Sequence, residues 1–164
     1  VGLRVTDDDT GADSDSTWVV VTGTDDRLRR PGWWYNQYDF SGRRNKNNIS
    51  EDTATCYLEA VRHMSRVFSA HRDCADFTEA MAILNTRQSS DENEIMVRQL
   101  LASWLNFAHG SVGWFDLVDT DGDKVADTPF HEVVAGAEAL RLDPTATRAE
   151  LLAYEDVLER INGD

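Results

Sequence analysis

The chain predicts a mainly α-helical protein: a five-helix domain with one calcium loop, preceded by a short β-hairpin. Three observations carry this expectation. Apolar residues recur at helical spacing through most of residues 50–161, and Ser, Asp or Thr caps open four of those segments. Alternating apolar residues appear only near the start. Between the third and fourth helical segments lies Asp119-Thr-Asp-Gly-Asp-Lys-Val-Ala-Asp127, where carboxylates stand at alternate positions with Lys124 as the sole cation among them.

Residues 1–22 read as two short strands. Leu3 and Val5 alternate in the first, Trp18-Val-Val-Val-Thr22 forms the second, and the polar run 7–16 turns between them. Residues 23–32 lack periodicity and read as a linker. Residues 33–164 form the helical calcium-binding module. Ser50 caps a helix whose stripe is Ala54, Tyr57, Leu58, Val61, Met64 and Phe68, and Asp76 opens a shorter one with Phe77, Ala80, Met81 and Leu84. Asp91 opens a third that closes at Gly110; its second half is apolar nearly all round, which marks it as the central helix. The fourth carries Val133, Val134, Ala137 and Leu140. Thr147-x-x-Glu150 is a capping box for the fifth, which ends at Gly163.

The loop specifies a hard cation. Ca²⁺ takes oxygen ligands, and loops that hold it place them at positions 1, 3, 5, 7 and 9, with a backbone carbonyl at the seventh. Here those positions are Asp119, Asp121, Asp123, Val125 and Asp127. The segment resembles the loops of EF-hands, dockerins and thrombospondin type 3 repeats. It departs from the EF-hand at Lys124, where Gly is usual, and at Phe130, where a bidentate Glu is usual. Glu132, two residues late, is the expected substitute, with Asp116 or water as alternatives. Loss of the bidentate ligand points to the weak affinities of extracellular modules, roughly 10⁻⁴–10⁻³ M. The expected role is a structural brace between the third and fourth helices.

Two further resemblances concern the flanks. Val5-Thr-Asp-Asp-Asp-x-Gly11 followed by Ser14-Asp-Ser-Thr-x-Val-Val-Val21 resembles the last hairpin of a PKD repeat, an immunoglobulin-like sandwich of secreted and surface proteins. That resemblance implies the tail of an upstream domain, in keeping with Val1 as a processed start. Pro31-Gly-Trp-Trp-Tyr-Asn36, Arg98-Gln-Leu-Leu-Ala-x-x-Leu-Asn106 and Leu158-x-x-Ile-Asn-Gly163 resemble a helical module of secreted, multi-domain microbial proteins. Tyr35 stands where that module usually has Lys, and no His follows Asn36. The resemblance implies secretion and modularity.

Composition narrows function. The net charge of −14 and pI near 4.5 exclude nucleic acid as partner, because phosphates would be repelled. No apolar run is long enough to span a bilayer. For a secreted chain, Cys56 and Cys74 are expected to form a disulfide, and Asn48-Ile-Ser50 is a glycosylation sequon where the host glycosylates exports. Trp33 and Trp34, with Tyr35, Tyr38 and Phe40, form either a stacking platform for a sugar or partner or a lid over the core, the lid being favoured. Arg43-Arg-Asn-Lys46 reads as a surface basic knot, and Arg29-Arg30 as an exposed cleavage point. His63, His71, His109 and His131 show no zinc-protease spacing, and no nucleophile elbow or phosphate-binding loop occurs. The sequence therefore predicts a non-enzymatic, calcium-stabilised structural or adhesive module, extracellular or on the cell surface, whose partners are other surface proteins or further copies of itself, as in a filament or lattice. The alternative is a carbohydrate-binding accessory module of a secreted hydrolase.

Overall fold

The computed structural model describes residues 2–6, 12–16, 27–41, 47–86 and 91–163, with the side chains of 2–6, 12–16 and Ala70 excepted. Its elements in chain order are β1 (Gly2–Thr6), β2 (Ala12–Ser16), α1 (Pro31–Tyr38), α2 (Glu51–Met64), α3 (Arg66–Ala70), α4 (Phe77–Leu84), α5 (Glu92–His109), β3 (Leu117–Val118), β4 (Thr128–Pro129), α6 (Phe130–Leu142) and α7 (Arg148–Ile161). The chain is mainly helical, as expected, but the described residues hold seven helices where periodicity predicts five.

The hairpin differs from its expected register. β1 pairs antiparallel with Ala12–Ser16, from Gly2 opposite Ser16 to Thr6 opposite Ala12, so the second strand lies inside the run read as a turn. A five-residue connection closes with less entropy loss than one reaching to Trp18. The expected strand Trp18–Thr22 lies outside the described residues, as does the Arg43–Lys46 knot.

α5 organises the helical body. Asp91 caps it by accepting from Asn93 N–H at 2.9 Å, and Gly110 ends it in the left-handed conformation, φ 85°, that only glycine adopts without strain. All residues from Leu100 to Ala108 are buried, and α1, α2, α4, α6 and α7 all pack on it. The capping boxes at Asp76/Glu79 and Thr147/Glu150 form as the sequence indicates. Ion pairs Arg72–Glu94 (3.1 Å) and Arg148–Glu92 (2.6 Å) tie the first turn of α5 to the chain after α3 and to the start of α7.

Two helices escaped the periodicity. α1 forms where the sequence predicts the end of a linker and the start of an aromatic lid. Its first residue is Pro31, whose fixed φ and missing N–H suit that position, and Trp34 and Tyr38 then fall one turn apart on the buried face. The body therefore begins at least at Leu28, which packs against the core, rather than after residue 32. Arg29 is likewise held, its N–H and C=O both bonded to Asn106 at 2.9 Å. α3 arises because the long helix expected from Ser50 to Phe68 breaks at Ser65, which turns extended (φ −88°, ψ 133°). The Ser65 hydroxyl caps Phe68 N–H at 3.1 Å and donates to buried Glu138 at 2.5 Å. Glu138 also accepts from Arg66 N–H and from the Trp104 indole at 3.1 Å, so one carboxylate fixes the break from across the core.

α6 meets α7 through Gly136, where a methyl group would come within 1.9 Å of the Tyr154 hydroxyl, itself donating to Val133 C=O at 3.2 Å. Gly136→Ala should therefore cost about 1–3 kcal/mol in urea unfolding. In a Tyr154→Ala background the clash is gone, and the same change should stabilise by up to about 1 kcal/mol through helix propensity. A cost unaffected by residue 154 would contradict this packing.

Candidate metal centre

The acidic loop is hung between three helices. Beyond Gly110 the chain turns through 111–116, where Gly113 N–H donates to Asp116 Oδ2 at 2.6 Å. The two-residue ribbon β3–β4 then pairs Leu117 with Pro129 and Val118 with Thr128, closing residues 119–127 into a loop. Asp127 N–H donates to Val118 C=O at 3.3 Å, and the Thr120 and Thr128 hydroxyls meet at 3.2 Å. Fully buried Phe130 anchors the far side at the start of α6. From α7, the Arg160 guanidinium donates to Thr120 C=O and packs beside Gly122.

Within this frame Asp119, Asp121 and Asp123 each place one carboxylate oxygen within 4.8 Å of the others. Backbone N–H groups line the same carboxylates. Asp119 accepts from Gly122 at 2.6 Å and Lys124 at 2.9 Å, Asp121 from Asp123 at 3.0 Å, and Asp123 from Val125 at 2.7 Å. Gly122 and Lys124 make the bend with positive φ, 86° and 70°. Lys124 takes the left-handed conformation that Gly more often supplies, which costs a side-chain-bearing residue about 1 kcal/mol. The Gly122 N–H holds the Asp119 carboxyl below its ordinary value of 3.8; loss of solvent opposes it, and the Lys124 N–H and the Arg160 guanidinium reinforce it.

The remaining expected ligands stand apart. Asp127 is exposed and accepts from the Thr128 hydroxyl at 3.0 Å; it is outside the three-carboxylate group, as is exposed Glu132. Glu132 instead lines a shallow groove with Thr120, Thr128, Val133, Tyr154 and Val157. Asp116 is engaged by the Gly113 turn. Val125 is exposed. The clustered oxygens are a hard donor set suited to a divalent cation, and three carboxylates do not by themselves select calcium.

A second acidic group was not singled out from sequence: Glu155, Asp156 and Glu159 on α7, whose spacing places them along one side of the helix. Burial raises the Glu155 carboxyl above its ordinary value, Glu159 and Asp156 add to this, and Gln99 and Arg98 oppose it.

The other expected sites resolve differently. Cys56 and Cys74 are both free thiols. Cys56 lies two residues from Ala54 and from Leu58, about 200° around the helix from each, so it faces solvent while they face the core. Cys74 is fully buried, and that burial pushes its thiol up to about 12 despite the Arg62 charge. Trp34 is also fully buried, its indole donating to Asn106 Oδ1 at 3.2 Å. Trp33 packs edge-to-face on Trp34 at 4.8 Å, with the Arg29 guanidinium over its ring at 4.7 Å. The pair thus belongs to the core and its cover, leaving no two-ring platform. His109 meets the Tyr57 hydroxyl at 3.0 Å, and His131 stacks on Trp114 at 5.5 Å. Asn48 is exposed just ahead of the Ser50 cap.

Comparison of the chain with known protein families, with curated proteins and with solved structures found no match.

At pH 8, a thiol reagent should modify Cys56 within seconds to minutes and Cys74 only once denaturant is added; two unreactive sulfurs that appear only after reduction would restore the disulfide. The acid limb gives a second check. A carboxyl held low in the folded state contributes stability above its ordinary value and loses that contribution as pH falls through the folded value. The stability difference between the parent chain and Asp119→Asn, measured by urea unfolding, should therefore shrink as pH drops below 3.8. A difference constant down to the acid transition would contradict the assignment.

Proposed function

We propose that this chain is a calcium-stabilised structural or adhesive module of a secreted or cell-surface protein. One observation carries the reading: the carboxylates of Asp119, Asp121 and Asp123 converge in a loop tied to α6 through Phe130, to α7 through Arg160 and to α5 through the Gly110 turn. An ion held there acts on three helices at once, so its binding energy becomes folding energy. With three side-chain carboxylates and no bidentate Glu at the twelfth position, the affinity belongs in the range of extracellular modules, matched to millimolar calcium. Asp127, Glu132 and the Val125 carbonyl complete the shell in this reading through water or through local closure on the ion.

The proposed role of the loop is a brace. Among the described residues β1 pairs with β2 alone, and the outer edge of such a ribbon is where another chain can add a strand, which supports assembly as a further part of the same role. The proposed setting is extracellular, where the PKD-like hairpin and the helical module follow one another in a larger polypeptide. Among the described residues no helix is long and apolar enough to cross a membrane. The alternative, a carbohydrate-binding accessory module, would rest on Trp33 alone, since Trp34 is buried while Trp33 keeps part of its surface.

Calcium at about ten times its dissociation constant should add about 1.4 kcal/mol, a rise in Tm of several degrees. Asp121→Ala should abolish that rise while leaving the Tm in chelator nearly unchanged. An equal loss in chelator, or a parent Tm indifferent to calcium, would refute the brace.

A further inference from the structure

Among the described residues, all the large hydrophobic side chains that stand exposed fall in one short stretch: Trp114 (38%), Phe115 (76%), Leu117 (53%) and Val125 (56%). Elsewhere among the described residues the large apolar groups are buried, as are Trp34, Trp104, Tyr38, Phe68 and Phe130, or partly buried against the core, as are Tyr57 and Leu140. Trp114 and Phe115 both rest on His131, and Leu117 lies two residues on, so these three exposed groups adjoin one another, and an exposed apolar patch of this kind marks an interaction surface.

The stretch is held in place rather than frayed. The Trp114 ring stacks on Trp104 (centroids 6.1 Å, 29° between planes) and on His131 (5.5 Å, 23°), and leans on Phe107 at 5.4 Å. Phe115 meets His131 edge-on at 5.4 Å. His131 N–H donates to Trp114 C=O at 3.2 Å, and Phe130 N–H donates to Asp116 C=O at 2.9 Å. Leu117 sits in the ribbon opposite Pro129. A surface fixed in this way loses little conformational entropy when something covers it.

Charge decides what covers it. Between Trp114 and Glu132 the sequence carries Asp116, Asp119, Asp121, Asp123, Asp127 and Glu132 against Lys124 alone. Arg160 is the cation that α7 adds, and it is turned onto the Thr120 carbonyl. A divalent ion at the loop lowers this negative charge without reversing it. A second copy in a two-fold contact would set this acidic stretch against itself, on chains of net charge −14. An anionic surface meets the same repulsion.

We infer that Trp114, Phe115 and Leu117 form a docking surface for a segment of a partner protein that interleaves apolar side chains with Lys or Arg. The aromatic and Leu side chains supply the contact area, and the surrounding carboxylates select the sign of the partner. This goes beyond the brace and stands whether or not the loop holds an ion.

The test uses the full chain and a labelled short peptide alternating leucine and lysine, read by fluorescence anisotropy at about 150 mM salt, where surface charge is screened beyond about 8 Å. Micromolar binding is expected, with no binding of the Leu→Ser or Lys→Glu versions of the peptide. Phe115→Ser with Leu117→Ser should weaken it by roughly tenfold or more at unchanged net charge. Both side chains already face solvent, so the melting curve should barely move. Phe115→Lys alone should weaken the same peptide at least as much, which guards against a misfolded double variant. Absence of binding, or equal binding by the variants, would overturn the proposal in favour of no site or of charge alone. So would a parent dimer in sedimentation that the double substitution dissociates, because a second copy would then cover the surface. Co-flotation of the parent with phosphatidylcholine–phosphatidylserine vesicles, lost in the variant, would likewise replace the peptide with a membrane.

Discussion

The helical body hangs on the side-chain amide of Asn106. Its oxygen accepts from Arg29 N–H (2.9 Å) and the Trp34 indole (3.2 Å), while its nitrogen donates to Arg29 C=O (2.9 Å) and Asn162 Oδ1 (3.0 Å). Asn162 in turn donates to the backbone and side-chain oxygens of Gln99, both at 3.0 Å, and accepts from Ser103 at 3.2 Å. Asn106 and Asn162 are fully buried, where an unmade hydrogen bond costs about 1–3 kcal/mol. One network therefore pins the first described segment of the body and its last helix to the middle of α5, and it tolerates no change of register. The three short motifs singled out in the sequence, around Trp34, Asn106 and Asn162, are the parts that meet there. Their place in the molecule is architectural.

The loop depends on the same network at one remove. Asn162 sets the end of α7, which places Arg160, and Arg160 holds the Thr120 carbonyl at the edge of the carboxylate group. On the other side Glu138 accepts from the Trp104 indole, and Trp104 supports Trp114 at the root of the exposed stretch. Loop and surface are thus carried by buried polar contacts of α5. In a helical core of mostly interchangeable apolar side chains, such contacts are what select a single arrangement.

Legibility followed the range of the interaction. The caps at Ser50, Asp76, Asp91 and Thr147, and the left-handed stop at Gly110, were readable because each is settled within a few residues. So were the alternate carboxylates of the loop, whose backbone N–H partners lie two to five residues on. The break at Ser65 was not, since its cause is a carboxylate 73 residues away. Nor was α1, where eight residues of weak amphipathicity make a helix because Trp34 and Tyr38 find room beneath them. The disulfide expectation failed for a similar reason: parity and compartment say nothing of which way a helix turns Cys56.

By itself, then, the sequence determined the helical class, the central helix, most helix starts and the acidic loop, all consequences of spacing along the chain. Only the tertiary structure decided which carboxylates share a site, that Trp34 is core, that both cysteines are free, and that Trp114, Phe115 and Leu117 stand exposed. Each of those depends on which faces of distant elements meet. That is set by the satisfaction of buried polar groups such as Asn106 and Glu138, and no local pattern reports it.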